Sequence, residues 1–156
     1  MGFLDELNTE RVKDLPLRDA IAINEHTIAR AAIALMRSND IGCAVVVKHQ
    51  WEPCGMFTEQ SVIRLLHDGV SLDSTAVSKY LDPSYRCVSL SSPIRRVWDA
   101  IVNDGARFLC VTDDDGQLVG LAGQRSLAEY LGDCYARQVA VQRLGSKPWM
   151  LEREGA

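Results

Sequence analysis

The sequence predicts an α/β (α+β) fold made of two β-α-β-β-α repeats packed with pseudo-twofold symmetry. Three observations predict it. Glycine, strand and leader positions recur at a fixed offset, each copy runs through the same order of apolar patterns, and one copy alone is too small to close a core. Val12 and Val77, Cys43 and Phe108, and Gly55 and Gly120 are all 65 residues apart (77 − 12, 108 − 43, 120 − 55). A fixed period of this kind marks a duplicated unit. The helices align better at an offset of 66, Ile28 with Ile94 and Leu35 with Ile101, which implies slightly different loops around them.

Each unit opens with a leader, residues 12–16 or 77–83, and a short strand, 20–24 or 87–90. The first helix of unit one carries Ile28, Ala31, Ala32, Leu35 and Met36, a stripe at i, i+3, i+4, i+7 and i+8. Its counterpart carries Ile94, Val97, Trp98 and Ile101, with Trp98 expected in the core. Ser92 before Pro93 predicts an N-cap with proline at the first helical position. A β-branched strand follows, Val45-Val46-Val47 or Phe108-Leu109-Cys110-Val111. Asp113-Asp114-Asp115-Gly116 then reads as a hairpin turn, with glycine available for positive φ. The corresponding connection in unit one, residues 48–52, is longer and less regular. A returning strand and a closing helix complete each unit, the helix bearing Val62, Ile63, Leu65 and Leu66 or Leu127, Tyr130 and Leu131. Residues 8–69 and 70–131 are thus read as two domains, with 70–81 as the crossover between them. A half of about sixty residues buries too little surface to be comfortably stable, and two halves packing their sheets together solve this. Residues 132–156 form a C-terminal extension, read as a short helix from Cys134 to Leu144 and then a flexible end at Gly145-Ser146-Lys147-Pro148.

Composition excludes several functions. The chain has 156 residues, 47% hydrophobic and 24% charged, as in an ordinary soluble protein. No apolar run is long enough to span a bilayer, and residues 1–11 carry Asp5, Glu6 and Glu10 rather than a signal sequence, so a cytoplasmic location is expected. A net charge of −4 gives no general field for nucleic acid. The five cysteines form no C-x-x-C pair, and Cys43, Cys87 and Cys110 in strand-like runs read as buried thiols. His26, His49 and His67 lack metal-ligand spacing and read as surface residues, and Asp113, Asp114 and Asp115 read as an acidic turn rather than a metal site. No nucleophile-elbow or phosphate-loop motif occurs, so the chain is not expected to be an enzyme. Trp51 and Trp149 fit either a partner surface or packing back onto the module. Arg95 and Arg96 form a small solvated basic spot.

The pattern resembles the tandem CBS domain, or Bateman module. The residues that carry the resemblance are Ile41-Gly42-Cys43-Ala44-Val45-Val46-Val47 with Gly55-Met56-Phe57-Thr58-Glu59-Gln60-Ser61. In the second half they are Ala106-Arg107-Phe108-Leu109-Cys110-Val111 with Leu118-Val119-Gly120-Leu121-Ala122-Gly123-Gln124-Arg125-Ser126. The tail looks like that of short free-standing bacterial tandem-CBS proteins. The resemblance implies a regulatory sensor that binds AMP, ADP, ATP or S-adenosylmethionine in a cleft between the halves, requires no cofactor, forms a homodimer and controls an unidentified partner protein in trans. The alternative is a nucleotide-free dimerisation and docking module.

The implied ligand contacts are Thr58, Ser61, Cys43, Arg107, Phe108, Gly123, Ser126 and Pro83. Thr58 keeps the hydroxyl that contacts phosphate in the family, but Gly123 stands there in the second half. Ser61 and Ser126 stand where the family has the aspartate that takes the ribose hydroxyls. A serine in place of that carboxylate loses about 1–2 kcal/mol, a five- to thirtyfold weaker site by order of magnitude. Arg107 at the start of a strand, and Arg125 at the start of the closing helix, are placed to receive an anion.

Overall fold

The computed structural model describes residues 2–145, with side chains described for residues 2–137. After an N-terminal helix α1 (Phe3–Thr9), unit one contains β1 (Ala22–Ile23), α2 (Ala29–Ser38), β2 (Cys43–Val47), β3 (Pro53–Thr58) and α3 (Glu59–His67). Unit two contains β4 (Cys87–Ser89), α4 (Ile94–Trp98) continued by a wide π turn (Asp99–Asn103), β5 (Phe108–Thr112), β6 (Leu118–Gly123) and α5 (Gln124–Gly145). Each unit is the predicted β-α-β-β-α chain. Its three strands form one sheet in the order given, the first pair parallel and the second antiparallel.

The duplication holds at the level of single hydrogen bonds. Cys43 pairs with Thr58, Phe108 pairs with Gly123, and each antiparallel ladder breaks at the same place, Val46/Val47 and Val111/Thr112. Both central strands are buried on both faces, which is why they read as continuous apolar runs. Ala44 and Val46 face the helices of unit one. Cys43 and Val45 face the other way and meet Cys110, Leu121 and Met56 in a seam between the two sheets.

The leaders are exchanged between units. Leu7, Val12 and Leu15 belong to the core of unit two, with Ile94, Val97, Leu109 and Val111. Val77, with Leu72, Tyr80 and Leu81 beside it, belongs to the core of unit one. Backbone bonds fix the exchange in matched pairs. Val12 N–H donates to Ser92 O and Val77 N–H to Thr27 O, each at 2.9 Å; Ile94 N–H donates to Glu10 O at 3.0 Å and Ala29 N–H to Thr75 O at 2.9 Å. Leaders of this kind, each a single 3₁₀ turn, bury valine completely without building a strand of their own.

The structure corrects several expectations. The helices obey the offset of 65, because the caps are Ile28 and Pro93 and the buried pairs are Ala29 with Ile94 and Ala32 with Val97. The apparent shift of 66 arose from taking Leu35 as core. Leu35 is 41% exposed, Ala31 is exposed too, and α2 buries Ala29, Ala32 and Met36 instead. Pro93 is the N-cap rather than the first helical residue, and the Ser92 hydroxyl accepts the Ser89 N–H, closing the turn before the helix. Trp98 is half-buried against the second core, with Phe3 set edge-on at 5.5 Å. Cys87 is exposed, while Cys43, Cys110 and Cys134 are buried. The closing helix does not stop at Leu131. It runs through Gly132 to Gly145, because Tyr130 and Cys134 continue the stripe of Leu127 onto the same core. Of the expected flexible end, Gly145 is the last residue of α5, and Ser146, Lys147 and Pro148 lie, with Trp149, outside the described residues.

Candidate functional site

Where the two sheets meet, the end of β3 and start of α3 face residues 82–85, just before β4, and the loop before β5. Between them is a cavity of about 200 Å³. It is smaller than the roughly 300–1,000 Å³ of pockets that bury a drug-sized ligand. Thr58 is its pivot. As N-cap of α3 its hydroxyl accepts the Ser61 N–H at 3.4 Å, and Ser61 Oγ accepts the Thr58 N–H at 3.1 Å. The same hydroxyl donates to Asp82 Oδ2 at 2.8 Å. Asp82 Oδ1 accepts from both the hydroxyl and the N–H of Ser84, at 2.6 and 2.8 Å. Burial alone would raise the Asp82 carboxyl, but the bonds from Ser84 and Thr58 outweigh it and hold it below its ordinary value. Opposite, Arg107 Nη1 donates to Glu59 Oε2 at 2.8 Å, linking unit two to unit one. Both side chains are more than half exposed, so the pair contributes at most about 1 kcal/mol.

Of the residues expected from sequence, Thr58, Arg107 and Phe108 line this cavity together. Ser61 and Ser126 do not reach it. Each is fully or nearly fully buried, with its hydroxyl accepting the N–H at the end of the preceding strand, from Thr58 or from Gly123. Cys43 lies behind the cavity in the seam, where burial pushes its thiol up to about 12. Gly123 has a packing reason, since a Cβ there would lie 3.0 Å from the Arg107 carbonyl oxygen and 3.2 Å from the Phe108 ring. Pro83 is exposed between Asp82 and Ser84, which do line the cavity. Arg125 pairs with Glu129 on the exposed face of α5.

Asp82, Ser84, Tyr85, Glu59 and Gln60 are among the lining residues missing from the expected contacts. Asp82-Pro83-Ser84 did carry a signal, an aspartate whose side chain closes a turn onto a residue two positions later. The twofold-related crossing shows why the aspartate is there. Arg18 and Leu121 exchange two backbone bonds of 2.9 Å, whereas Pro83, at the position of Arg18, has no N–H to give Met56. Asp82 N–H takes that bond at 2.8 Å, and the slip of one residue brings its carboxylate to Thr58. The related hollow, about 420 Å³ and shallow, is bounded by residues 17–21, Asn39 and Ile41. Gly123 and Leu17 occupy there the positions of Thr58 and Asp82, so the hydroxyl–carboxylate pair exists in one cleft only. Among the described residues no three His, Cys, Asp or Glu side chains converge as a metal site, and no helix is long and apolar enough to cross a membrane.

Two duplicated units with exchanged leaders and a polar cleft at their seam define a paired-repeat module. The chain belongs to the CBS domain family: the family's profile matches residues 12–68 and 77–133. It is similar to an uncharacterized 17.7 kDa protein of Acidianus ambivalens, 30% identical over 112 residues, covering 72% of this chain and 66% of that one. An uncharacterized protein of Methanopyrus kandleri is 25% identical over 119 residues, covering 76% and 61%. One of Methanocaldococcus jannaschii is 27% identical over 138 residues, covering 86% and 47%. The chain thus spans between about half and two thirds of these curated relatives. All three are archaeal, so the bacterial affinity expected from the tail finds no support in them.

Solved structures share the fold. A CBS domain protein of Pyrobaculum aerophilum complexed with AMP superimposes with a TM-score of 0.68 at 20% identity, covering 76% of this chain and 90% of that one. The CBS domain pair of protein MJ0100, complexed with 5′-methylthioadenosine and S-adenosyl-L-methionine, gives 0.68 at 14% identity, covering 80% and 97%. CBSX2 complexed with AMP gives 0.69 at 17% identity, covering 80% and 98%.

Proposed function

We propose that the chain is a regulatory module, not a catalyst, that binds an adenosine-containing ligand in the Thr58–Asp82–Arg107 cleft and acts on a partner protein. The ligand set is that of the sequence reading: AMP, ADP, ATP or S-adenosylmethionine. The observation that carries the proposal is the Thr58–Asp82 pair. It puts a carboxylate into the cleft from the segment before β4, although positions 61 and 126 are serine. Such a carboxylate can accept from a sugar hydroxyl, and Phe108 and Tyr85 offer aromatic surface to a base beside it. Ligands of this class in solved proteins of the same fold support the reading.

A thermal-shift series with AMP, ADP, ATP, S-adenosylmethionine and GTP tests it, repeated on Thr58→Ala and Asp82→Asn. A ligand at a hundred times its dissociation constant adds about 2.7 kcal/mol. At about 2–4 °C per kcal/mol for a chain of this size, the shift is about 5–11 °C. Loss of the shift in both variants is the expected result. No shift with any adenosine ligand at millimolar concentration would sink the proposal.

One observation favours a second reading, a docking and dimerisation module. Leu35 on α2, Ile63 and Leu66 on α3, and Val102 on the π turn are 41–58% exposed, so helices of both units present apolar side chains to solvent. A homodimer covering them should appear by light scattering at about twice the 17.3 kDa chain, and a monomer at high concentration would refute it.

A further inference from the structure

Most phosphate-receiving groups of the cleft are already engaged by the protein itself, the Gln60 N–H at the start of α3 being left without a partner among the described residues. Arg107, the cation of the cleft wall among the described residues, is paired with Glu59 at 2.8 Å. The first turn of α3 would otherwise offer free N–H groups to an anion. Here the Glu59 N–H donates to the Gly42 carbonyl at 3.1 Å, and the Ser61 N–H donates to Thr58. The Glu59 carboxylate itself lies over Gly42, where a Cβ would stand 3.1 Å from its Cδ and Oε1. A second carboxylate, Asp82, also lines the cavity. Arg64 acts on Asp82 from outside the wall, and its guanidinium is tied to the carbonyls of Tyr80 and Leu81 at 3.3 and 2.7 Å. The wall therefore carries two carboxylates against one cation.

We propose that Glu59 sets the ligand charge in this cleft, selecting an adenosine ligand with no phosphate, such as a nucleoside or a 5′-thioether or sulfonium nucleoside, over AMP and ATP. The inference rests on the reading that the cleft binds adenosine ligands. A phosphate entering here meets Arg107 only by displacing Glu59, whose charge then remains beside it. Two like charges about 4 Å apart in water-like surroundings interact by an amount equal to about fivefold in affinity. A phosphate monoanion thus loses about fivefold, and a dianion up to about thirtyfold. A sulfonium gains from the same two carboxylates.

Isothermal titration of 5′-methylthioadenosine and AMP into the wild-type chain and Glu59→Gln tests this at low salt. Glu59 is exposed and outside the core, and replacing it by glutamine keeps its shape. The wild type should bind methylthioadenosine at least fivefold more tightly than AMP. In Glu59→Gln, AMP should tighten by about five- to thirtyfold while methylthioadenosine changes by less than about twofold. Adding Arg107→Gln to Glu59→Gln should abolish the gain for AMP. Wild-type AMP binding equal to or tighter than methylthioadenosine, or an unchanged ratio in Glu59→Gln, overturns the selectivity while leaving an adenosine site in place. Binding of neither ligand by any variant overturns the adenosine site, and the selectivity with it.

Discussion

Replacing Gly120 and Gly55 by alanine, one at a time, asks whether the two halves are held by the same kind of crossing. Both glycines let a leader pass close over a sheet, but they face different atoms. At Gly120 a Cβ would stand 2.9 Å from the Arg18 carbonyl oxygen, which is backbone and is held by the two 2.9 Å bonds to Leu121. The leader can move away only by weakening those bonds, each contributing about 0.5–1.5 kcal/mol. Together with overpacking of about 1–3 kcal/mol, the expected loss for Gly120→Ala is about 2–4 kcal/mol. At Gly55 a Cβ would stand 2.8 Å from Leu81 Cδ1, the far end of a flexible side chain. Rotation of Leu81 relieves the clash, and the reduced freedom of the unfolded chain returns about 0.4–1 kcal/mol. Gly55→Ala should therefore stay within about 1 kcal/mol of the wild type. Urea unfolding followed by circular dichroism measures both, with the slope m expected to stay constant. Equal losses at the two positions, or a larger loss at Gly55, would refute the claim that the first crossing is backbone-locked and the second is not.

Two further predictions concern titration and reactivity. The Asp82 carboxyl is depressed in the folded state, so its stabilising contribution is present above its unfolded value of about 3.9 and is lost as the pH falls through the lower folded value. The gap in urea midpoint between the wild type and Asp82→Asn should therefore hold from pH 7 to about pH 5 and narrow as the pH falls below about 4, and parallel curves throughout would count against the bonds described. Cys87 is exposed whereas Cys43 and Cys110 are buried, with burial pushing both thiols up. A thiol reagent added to the native protein should react first at Cys87, this fast phase should vanish in Cys87→Ser, and Cys43 and Cys110 should react only on unfolding.

The duplication was legible because strand pairing and glycine crossings tie particular residue types to fixed positions. The same constraint left Gly55 and Gly120, and Cys43 and Phe108, 65 residues apart. Helix faces were less legible. Alanine is small enough to read as core or surface, so Ala31 and Leu35 completed a plausible stripe although Ala29 and Ala32 are the residues that pack. The continuation of the closing helix through Gly132 was not legible either. The position is open, with nothing within 4 Å of a Cβ, and the cost of about 1 kcal/mol is carried by Tyr130 and Cys134 on either side. In the cleft, Thr58 and Arg107 were visible through the resemblance to tandem CBS domains, at a strand end and a strand start. Asp82 was not, because its position follows from a bond that Pro83 cannot make, and that is a relation between segments distant in sequence. The exchange of leaders was hidden for the same reason. Nothing in Val12 says which of two similar cores will take it.

That exchange has a consequence for how such a chain can be divided. Cutting between residues 69 and 70 separates each half from the valine that plugs its own core. A single unit with its leader would complete itself only by trading leaders with a second copy, and its stability would then depend on concentration. Joining two units in one polypeptide turns that trade into an internal clasp, always within reach of its socket. Each half is thus a chaperone for the other.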